Sequence, residues 1–395
     1  MKHKKQTVRH FSILIFFATL LIGILLSFLI FSTIHFHQIN LIVFSLFGFL
    51  FAYKQHHLHL KAKKMGSMLN FVDQFMITLS IHKTLLATMN SVEELSEANI
   101  KSELKSFTEN EPLEKLDYLG HYFGHPIFNA FLDIIHTYLE QGGDILKSSS
   151  ALLKEVAETR ANRISIKQLH ERKLAELIVG WCFVLMIIVM LRFVISDIYQ
   201  SLLDNPIFTY GLQAFLVLIL MSFVGYFRIV MATEKRKSRK MKKTDKWIPV
   251  HEFVQTFSLF RMNLTGTGNV YKTLERTANF SHGTMNVYLY ELVGQLKNST
   301  SINPFISLAS HFKEPLVKHI LINIYQLMIN GGDSAMLFEF NYLFDRLYEL
   351  NSVALYEEVK RKHETLAQLP MLGSGLLVML IMVGVIGLLG SVMYV

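Results

Sequence analysis

The sequence predicts an all-α membrane protein with about five transmembrane helices and two duplicated cytoplasmic helical-bundle domains. Hydrophobic residues make up 51% of the 395 residues, and the mean hydropathy of +0.33 is too apolar for an ordinary soluble protein. One phrase of sequence occurs twice in the same register, and dense basic segments flank several apolar runs. These three observations predict the fold class.

Each copy of the repeated phrase has a phenylalanine, a proline three residues later and an amphipathic run that ends in Gly-Gly-Asp. Phe312 follows Phe123 by 312 − 123 = 189 residues, and Pro126 and Pro315 keep the same spacing. The apolar residues of the two runs coincide at helical spacing. We predict a helix in each copy, with proline in its first turn and glycine at its end. The motif residues are Gly142, Gly143 and Asp144 in the first copy and Gly331, Gly332 and Asp333 in the second.

The similarity continues on both sides of this phrase with small insertions. Residues 71–75 resemble residues 253–257, at a spacing of 253 − 71 = 182. Residues 174–177 resemble residues 366–369, at a spacing of 366 − 174 = 192. The sequence therefore predicts a duplicated unit of roughly 110 residues, and each copy leads into a long apolar stretch.

Residues 1–65 are predicted to form a transmembrane hairpin followed by a basic collar. The uncharged run 11–34 exceeds a signal-peptide core and has no clear small-residue cleavage site, which favours an uncleaved anchor. The second run, 39–53, is shorter than the ~20 residues that a crossing needs, so whether it spans fully is left open. Three histidines in the collar could suggest a metal site, but no carboxylate or cysteine accompanies them at ligand spacing. These histidines are His56, His57 and His59.

Beyond the collar, soluble and apolar segments alternate. Residues 66–173 mix polar and apolar residues at helical spacing, which predicts a first cytoplasmic helical domain. Residues 174–231 contain two apolar runs and are predicted to form a second transmembrane hairpin. Residues 232–364 hold a basic linker and a second cytoplasmic helical domain. Residues 365–395 carry no charge and predict a C-terminal transmembrane helix.

Charge asymmetry predicts the topology. The segment 235–246 contains eight lysines and arginines, whereas the loop 196–205 has two aspartates and no basic residue. The positive-inside rule therefore places both repeats and the N-terminus in the cytoplasm and the C-terminus outside the cell membrane. Arg192 lies near the far end of its span, where it can reach the interface. The net charge of +8 does not indicate nucleic-acid binding, because no recognised binding motif accompanies it.

No catalytic, cofactor-binding or metal-binding residues are predicted, and we expect the protein not to be an enzyme. Residues 266–273 resemble a phosphate-binding loop, but Tyr271 occupies the place of its second glycine. A glycine-rich turn is the favoured interpretation of this segment. No metalloprotease or nucleophile-elbow motif occurs, and the single cysteine, Cys182, excludes an intramolecular disulfide.

Repeat and topology together resemble the type II secretion system F-domain (GspF/PilC-type) family of inner-membrane platform proteins, in its Tad-like or Gram-positive or archaeal pilus branch. The resemblance covers about residues 66–395. The family pattern at the helix end is roughly G-E-x-[ST]-G-x-L, and Glu140, Gly143 and Ile145 fit it, with Gly142 in place of the hydroxyl residue. In the second copy Gly332 keeps the glycine, whereas Ile329 stands where the acid would be.

The resemblance implies a non-enzymatic platform for type IV pilus, type II secretion or Tad-like assembly. Its expected partners are a hexameric assembly ATPase, pilin or pseudopilin subunits, membrane lipids, and further copies or other platform components, without nucleic acid. The repeat-motif residues are possible partner contacts. A transporter or permease, and a membrane signalling scaffold, are the alternatives. Whether the filament serves adhesion, DNA uptake or secretion stays open.

Overall fold

The computed structural model describes residues 2–31, 34–104, 111–141, 145–234, 247–281, 284–331 and 333–393. These residues form sixteen α-helices and contain no β-strand, which confirms the all-α prediction for the described part of the chain. The helices are α1 Lys2–Ile30, α2 Ile34–His82, α3 Leu85–Leu95, α4 Ala98–Leu104, α5 Pro112–Phe123, α6 Pro126–Gln141, α7 Ile145–Val194, α8 Ser196–Leu203, α9 Pro206–Glu234, α10 Val250–Thr267, α11 Val270–Phe280, α12 Thr284–Asn298, α13 Asn303–Ala309, α14 Pro315–Asn330, α15 Ser334–Ala367 and α16 Leu369–Met393.

The chain divides into two compact units. The membrane unit comprises Met1–Ala62, Ser165–Lys235 and Glu357–Val395, and the bundle unit comprises Lys63–Ile164 and Arg236–Tyr356. Each unit has its own apolar core, and the bundle unit has two.

Four stretches of the described residues are long and apolar enough to cross a membrane: Ile34–His82, Ser149–Val194, Pro206–Thr233 and Ser334–Gly390. The chain is therefore a multi-pass membrane protein. A further apolar helix, Phe16–Ile30, is shorter than these four. The sequence indicated about five crossings, so the structure supports four of them by length and composition.

The second apolar run belongs to a longer helix than the sequence suggested. No proline or glycine interrupts residues 54–64, and α2 continues through the basic collar as one helix of 49 residues. The polar flank thus lengthens the second arm of the hairpin.

Small residues let the helices of the membrane unit approach closely. A Cβ atom built on Gly373 of α16 would lie 2.7 Å from the Trp181 ring, and one on Gly211 of α9 would lie 2.3 Å from Leu380. The Trp181 indole donates a hydrogen bond of 2.9 Å to Ser222 Oγ. Close backbone approach and side-chain hydrogen bonds are the usual means of packing helices in lipid.

The predicted helix boundaries of the repeated phrase are confirmed wherever the structure describes them. α6 begins at Pro126 and α14 begins at Pro315, and both helices have 16 residues. Proline fits this position because the first helical N–H has no partner within the helix. α14 ends at Gly331, whose φ of +74° is the left-handed conformation that glycine adopts without strain. Residues 142–144 of the first copy lie outside the described residues.

The seven-residue difference between the two copies is absorbed in two places. α3 and α11 each have 11 residues and start 270 − 85 = 185 residues apart, which is three more than the upstream spacing of 182. The glycine-rich turn contributes these three: α10 ends at Gly268 with φ +63°, and Asn269 Oδ1 accepts from the Lys272 backbone N–H at 2.9 Å. The other four lie between α11 and α14, where α12 has 15 residues and α4 has seven.

Candidate functional site

The motif residues form a helix junction in the second copy. Asp333 is exposed, its carboxylate accepts from the Ala335 N–H at 3.4 Å, and its carbonyl accepts from the Leu337 N–H at 3.0 Å, so it caps α15. Glu140 is exposed at the end of α6. No hydrogen bond or ion pair between described residues links Glu140 to Asp333. Gly142, Gly143, Asp144 and Gly332 lie outside the described residues.

The most constrained polar group of the bundle unit is a buried arginine that sequence reasoning missed. Arg261 of α10 is 2% exposed. Its Nη2 atom lies 3.3 Å from Glu155 Oε2 and 3.8 Å from Glu158 Oε2, both on α7. Its Nη1 atom donates to Asp345 of α15. The guanidinium also lies over the Phe344 ring, with 4.8 Å from Cζ to the ring centroid. One side chain thus joins three helices.

The charges of this cluster do not balance when every group is ionised. Lys154 also pairs with Asp345 and lies 3.9 Å from Glu158, so two cations face three carboxylates. One proton makes the cluster neutral, and burial selects the carboxyl that holds it. Burial raises the pKa of Glu155 to about 7, despite the opposing effect of Arg261. Burial also raises the pKa of Glu158.

The repeat itself carries a signal for this cluster. At the upstream spacing of 182, Arg261 corresponds to Leu79, which is fully buried in the core of the first copy. At the spacing of 189, Glu155 corresponds to Phe344, which is fully buried in the core of the second copy. Charged residues at positions whose counterparts are core residues mark places where the two copies differ in their neighbours.

In the membrane unit, two histidines share a buried hydrogen bond. His170 Nδ1 lies 2.8 Å from His363 Nε2, and the two side chains are 8% and 2% exposed. The Tyr226 hydroxyl donates to the His170 carbonyl at 3.1 Å. One ring must donate and the other accept, so the pair holds α7 and α15 in a fixed arrangement. Within the described residues, no group of three or more His, Cys, Asp or Glu side chains could hold a metal ion.

The end of α1 is held by two side chains. Arg192 donates to the Leu29 carbonyl, and the Tyr199 hydroxyl donates to the Ile30 carbonyl at 2.7 Å. The last carbonyls of a helix have no partner within it, and a cation there is favourable. The sequence suggested that Arg192 reaches the membrane interface; in the structure it binds this helix end instead.

Comparison with known proteins finds nothing similar. No protein-family model matches the chain, and no curated protein or solved structure gives a significant match.

Proposed function

We propose that this protein is a non-enzymatic platform of the cytoplasmic membrane for a type IV pilus, type II secretion or Tad-like assembly machine. In this role two duplicated cytoplasmic bundles bind a hexameric assembly ATPase, and the membrane helices guide pilin or pseudopilin subunits into the filament. The proposal includes the topology predicted by the positive-inside rule, with the bundle unit in the cytoplasm.

The matched order of helices carries the proposal. α3 corresponds to α11 and α6 to α14, each pair with identical length, and the spacing of 189 in the sequence recurs in the starts of α6 and α14. α7 and α15 then start after the two motifs, again 334 − 145 = 189 residues apart. Duplication explains these coincidences with one event.

The two copies differ in how their last helices reach the apolar stretch. α7 runs for 50 residues without a break. In the second copy α15 ends at Ala367, and α16 begins at Leu369, next to Pro370. Proline lacks the N–H that would continue the helix and clashes with the preceding turn. Of the two helices, only α7 is an uninterrupted route for mechanical work, so we assign the larger conformational response to the first copy.

A transporter is the second candidate, and the polar contacts among the apolar helices are the observation relevant to it. Asn40 Nδ2 donates to Ser27 Oγ at 3.1 Å, and Gln213 Nε2 donates to Asn40 Oδ1 at 2.7 Å. Asn40 is only six residues from the start of α2, and Gln213 is seven from the start of α9. Transport sites lie near the bilayer midplane among broken helices, so this group fits helix packing better.

The experiment is a binding assay with the full chain in nanodiscs and the purified candidate ATPase. We expect the chain to bind the ATPase and to bind no labelled ATP by itself. Replacing both exposed motif acids, Glu140→Ala with Asp333→Ala, should weaken ATPase binding by about tenfold or more, because each charged hydrogen bond across an interface contributes roughly 1.5–3 kcal/mol. ATP hydrolysis by the chain alone would refute the proposal.

A matched control is Glu291→Ala, another exposed acid of the bundle unit, on α12. It should leave ATPase binding unchanged. Equal loss in the control and the double variant would mean that general charge, rather than the motif, sets the affinity.

A further inference from the structure

α10 is buried on every side, whereas its counterpart in the first copy is not. All nine residues of 256–264 are buried. At the spacing of 182 they correspond to residues 74–82 of α2, where Gln74, Ile77, Ile81 and His82 are exposed. A helix buried all round has neighbours on all faces. The stretch in α2 therefore lacks a neighbour that α10 has.

That neighbour is the first copy of the repeat. Leu259 and Met262 of α10 belong to the apolar core of the first copy, although the other members of that core lie in α2 to α7. Phe280, at the end of α11, packs against the same core. α10 lies along α6, and Arg261 reaches Glu155 of α7. α10 and α11 thus present one face to α6 and α7.

The first copy has the same face, and it is exposed. Leu259 corresponds to Ile77, which is 49% exposed, and Phe280 corresponds at the spacing of 185 to Leu95, which is 67% exposed. Ile81, one turn beyond Ile77, is 70% exposed. We call Ile77, Ile81 and Leu95 the donor face.

The second copy has the opposite face, and it is also exposed. In the first copy Ser149 of α7 is fully buried, and Leu153 is packed against the core. At the spacing of 189 their counterparts on α15 are Phe338, which is 74% exposed, and Tyr342, which is 58% exposed. We call Phe338 and Tyr342 the acceptor face.

We propose that a second copy of this chain covers these surfaces, with the donor face of one molecule on the acceptor face of the next. The contact would repeat between molecules the one that joins the two copies of the repeat within each molecule. Donor and acceptor are different surfaces, so the association is heterologous, or head to tail. Large apolar side chains grouped on a surface mark interaction sites, and here the internal contact defines their partner. The inference rests on the proposed duplication, not on the proposed role in pilus assembly.

Disulfide-free cross-linking tests the pairing directly. In a Cys182→Ser background, one tagged chain carries Ile77→Cys or Ile81→Cys, and a differently tagged chain carries Phe338→Cys or Tyr342→Cys. Purified chains are mixed in nanodiscs large enough for two molecules and treated with a short bis-maleimide. We expect a product of about twice 45.5 kDa in at least one of the four mixtures and none in samples that contain only one variant.

Charge substitution gives a second measurement. Ile77→Glu and Phe338→Glu change exposed side chains, so both variants should fold, and each should raise the dissociation constant of the dimer at least about tenfold. Val287→Glu is the matched control, because Val287 is 63% exposed on α12, outside both faces. It should leave the dissociation constant unchanged.

A chain that stays monomeric at every concentration overturns the inference, as does a product formed by a donor-face variant alone, which would indicate a two-fold contact. Either result leaves ATPase binding untouched. Conversely, failure to bind an ATPase leaves the head-to-tail contact standing.

Discussion

Replacing Glu155 with glutamine should remove a specific pH dependence from the stability of the bundle unit. Burial raises the pKa of Glu155 from 4.5 to about 7 in the folded chain. The folded state therefore holds a proton that the unfolded state releases between these two values. The contribution of Glu155 to the free energy of unfolding is fully present below pH 4.5 and declines as pH rises to about 7.

The magnitude follows from the shift. A change of one pKa unit corresponds to about 1.4 kcal/mol, so raising the pKa from 4.5 to about 7 corresponds to a loss on the order of 3 kcal/mol between these limits. Glutamine keeps the size of the side chain and a hydrogen-bond acceptor for Arg261, but it does not titrate. The Glu155→Gln variant should match the parent protein near pH 4.5 and exceed it above pH 7.

The assay is thermal unfolding of the full chain in detergent at half-unit steps from pH 4.5 to 8.5. For a folded unit of this size, 1 kcal/mol shifts the midpoint by about 2–4 °C, so the variant should unfold several degrees above the parent at pH 8. Glu339→Gln, at an exposed position of α15, is the control and should follow the parent at every pH.

A variant that is less stable than the parent at pH 8 would refute this reasoning. It would mean that the ion pair with Arg261 outweighs the cost of burying the carboxylate, and that Glu155 is ionised throughout this range.

Three further predictions concern other sites. The His125 ring accepts from the Ile127 N–H at 3.3 Å, and burial lowers its pKa from 6.5 to about 4, so its contribution to stability is present above pH 6.5 and is lost as pH falls toward 4; in His125→Asn, which keeps an acceptor, a melting series should lose this acid sensitivity. Gly331→Ala should destabilise the chain by about 1 kcal/mol in chemical unfolding, because φ is +74° there although space for a Cβ is open. Gly373→Val should lower the melting temperature by an amount equivalent to about 1–3 kcal/mol, because the added methyl groups meet the Trp181 ring.

Much of the helix pattern could be predicted from the sequence because local signals define it. Proline in the first turn and glycine after the last turn define both ends of α14. The break at Pro370 and the continuation of α2 through the basic collar were missed, since a long uncharged run hides a kink and a charged run suggests an end. Both features follow from backbone chemistry that hydropathy does not report.

The buried cluster was out of reach for a different reason. Arg261 lies in a segment with the pattern of an ordinary amphipathic helix, and its partners are about 85 to 106 positions away along the chain. Only alignment of the two copies reveals it, because Leu79 and Phe344 occupy the corresponding core positions. Comparing the two copies position by position is therefore the one route by which the amino-acid sequence alone indicates these exchanges.

These exchanges also distinguish the internal contact from the proposed contact between molecules. Within the chain, α10 brings Arg261 to the carboxylates of α7, and losing one partner of a buried ion pair is strongly destabilising. Between molecules, α2 would bring the apolar, core-bound Leu79 instead, and the carboxylate position is filled by Phe344. The second contact therefore has the apolar part of the first without its ionic part. An interface with fewer buried partners dissociates more readily, which suits an assembly whose copies associate and separate while each chain stays folded.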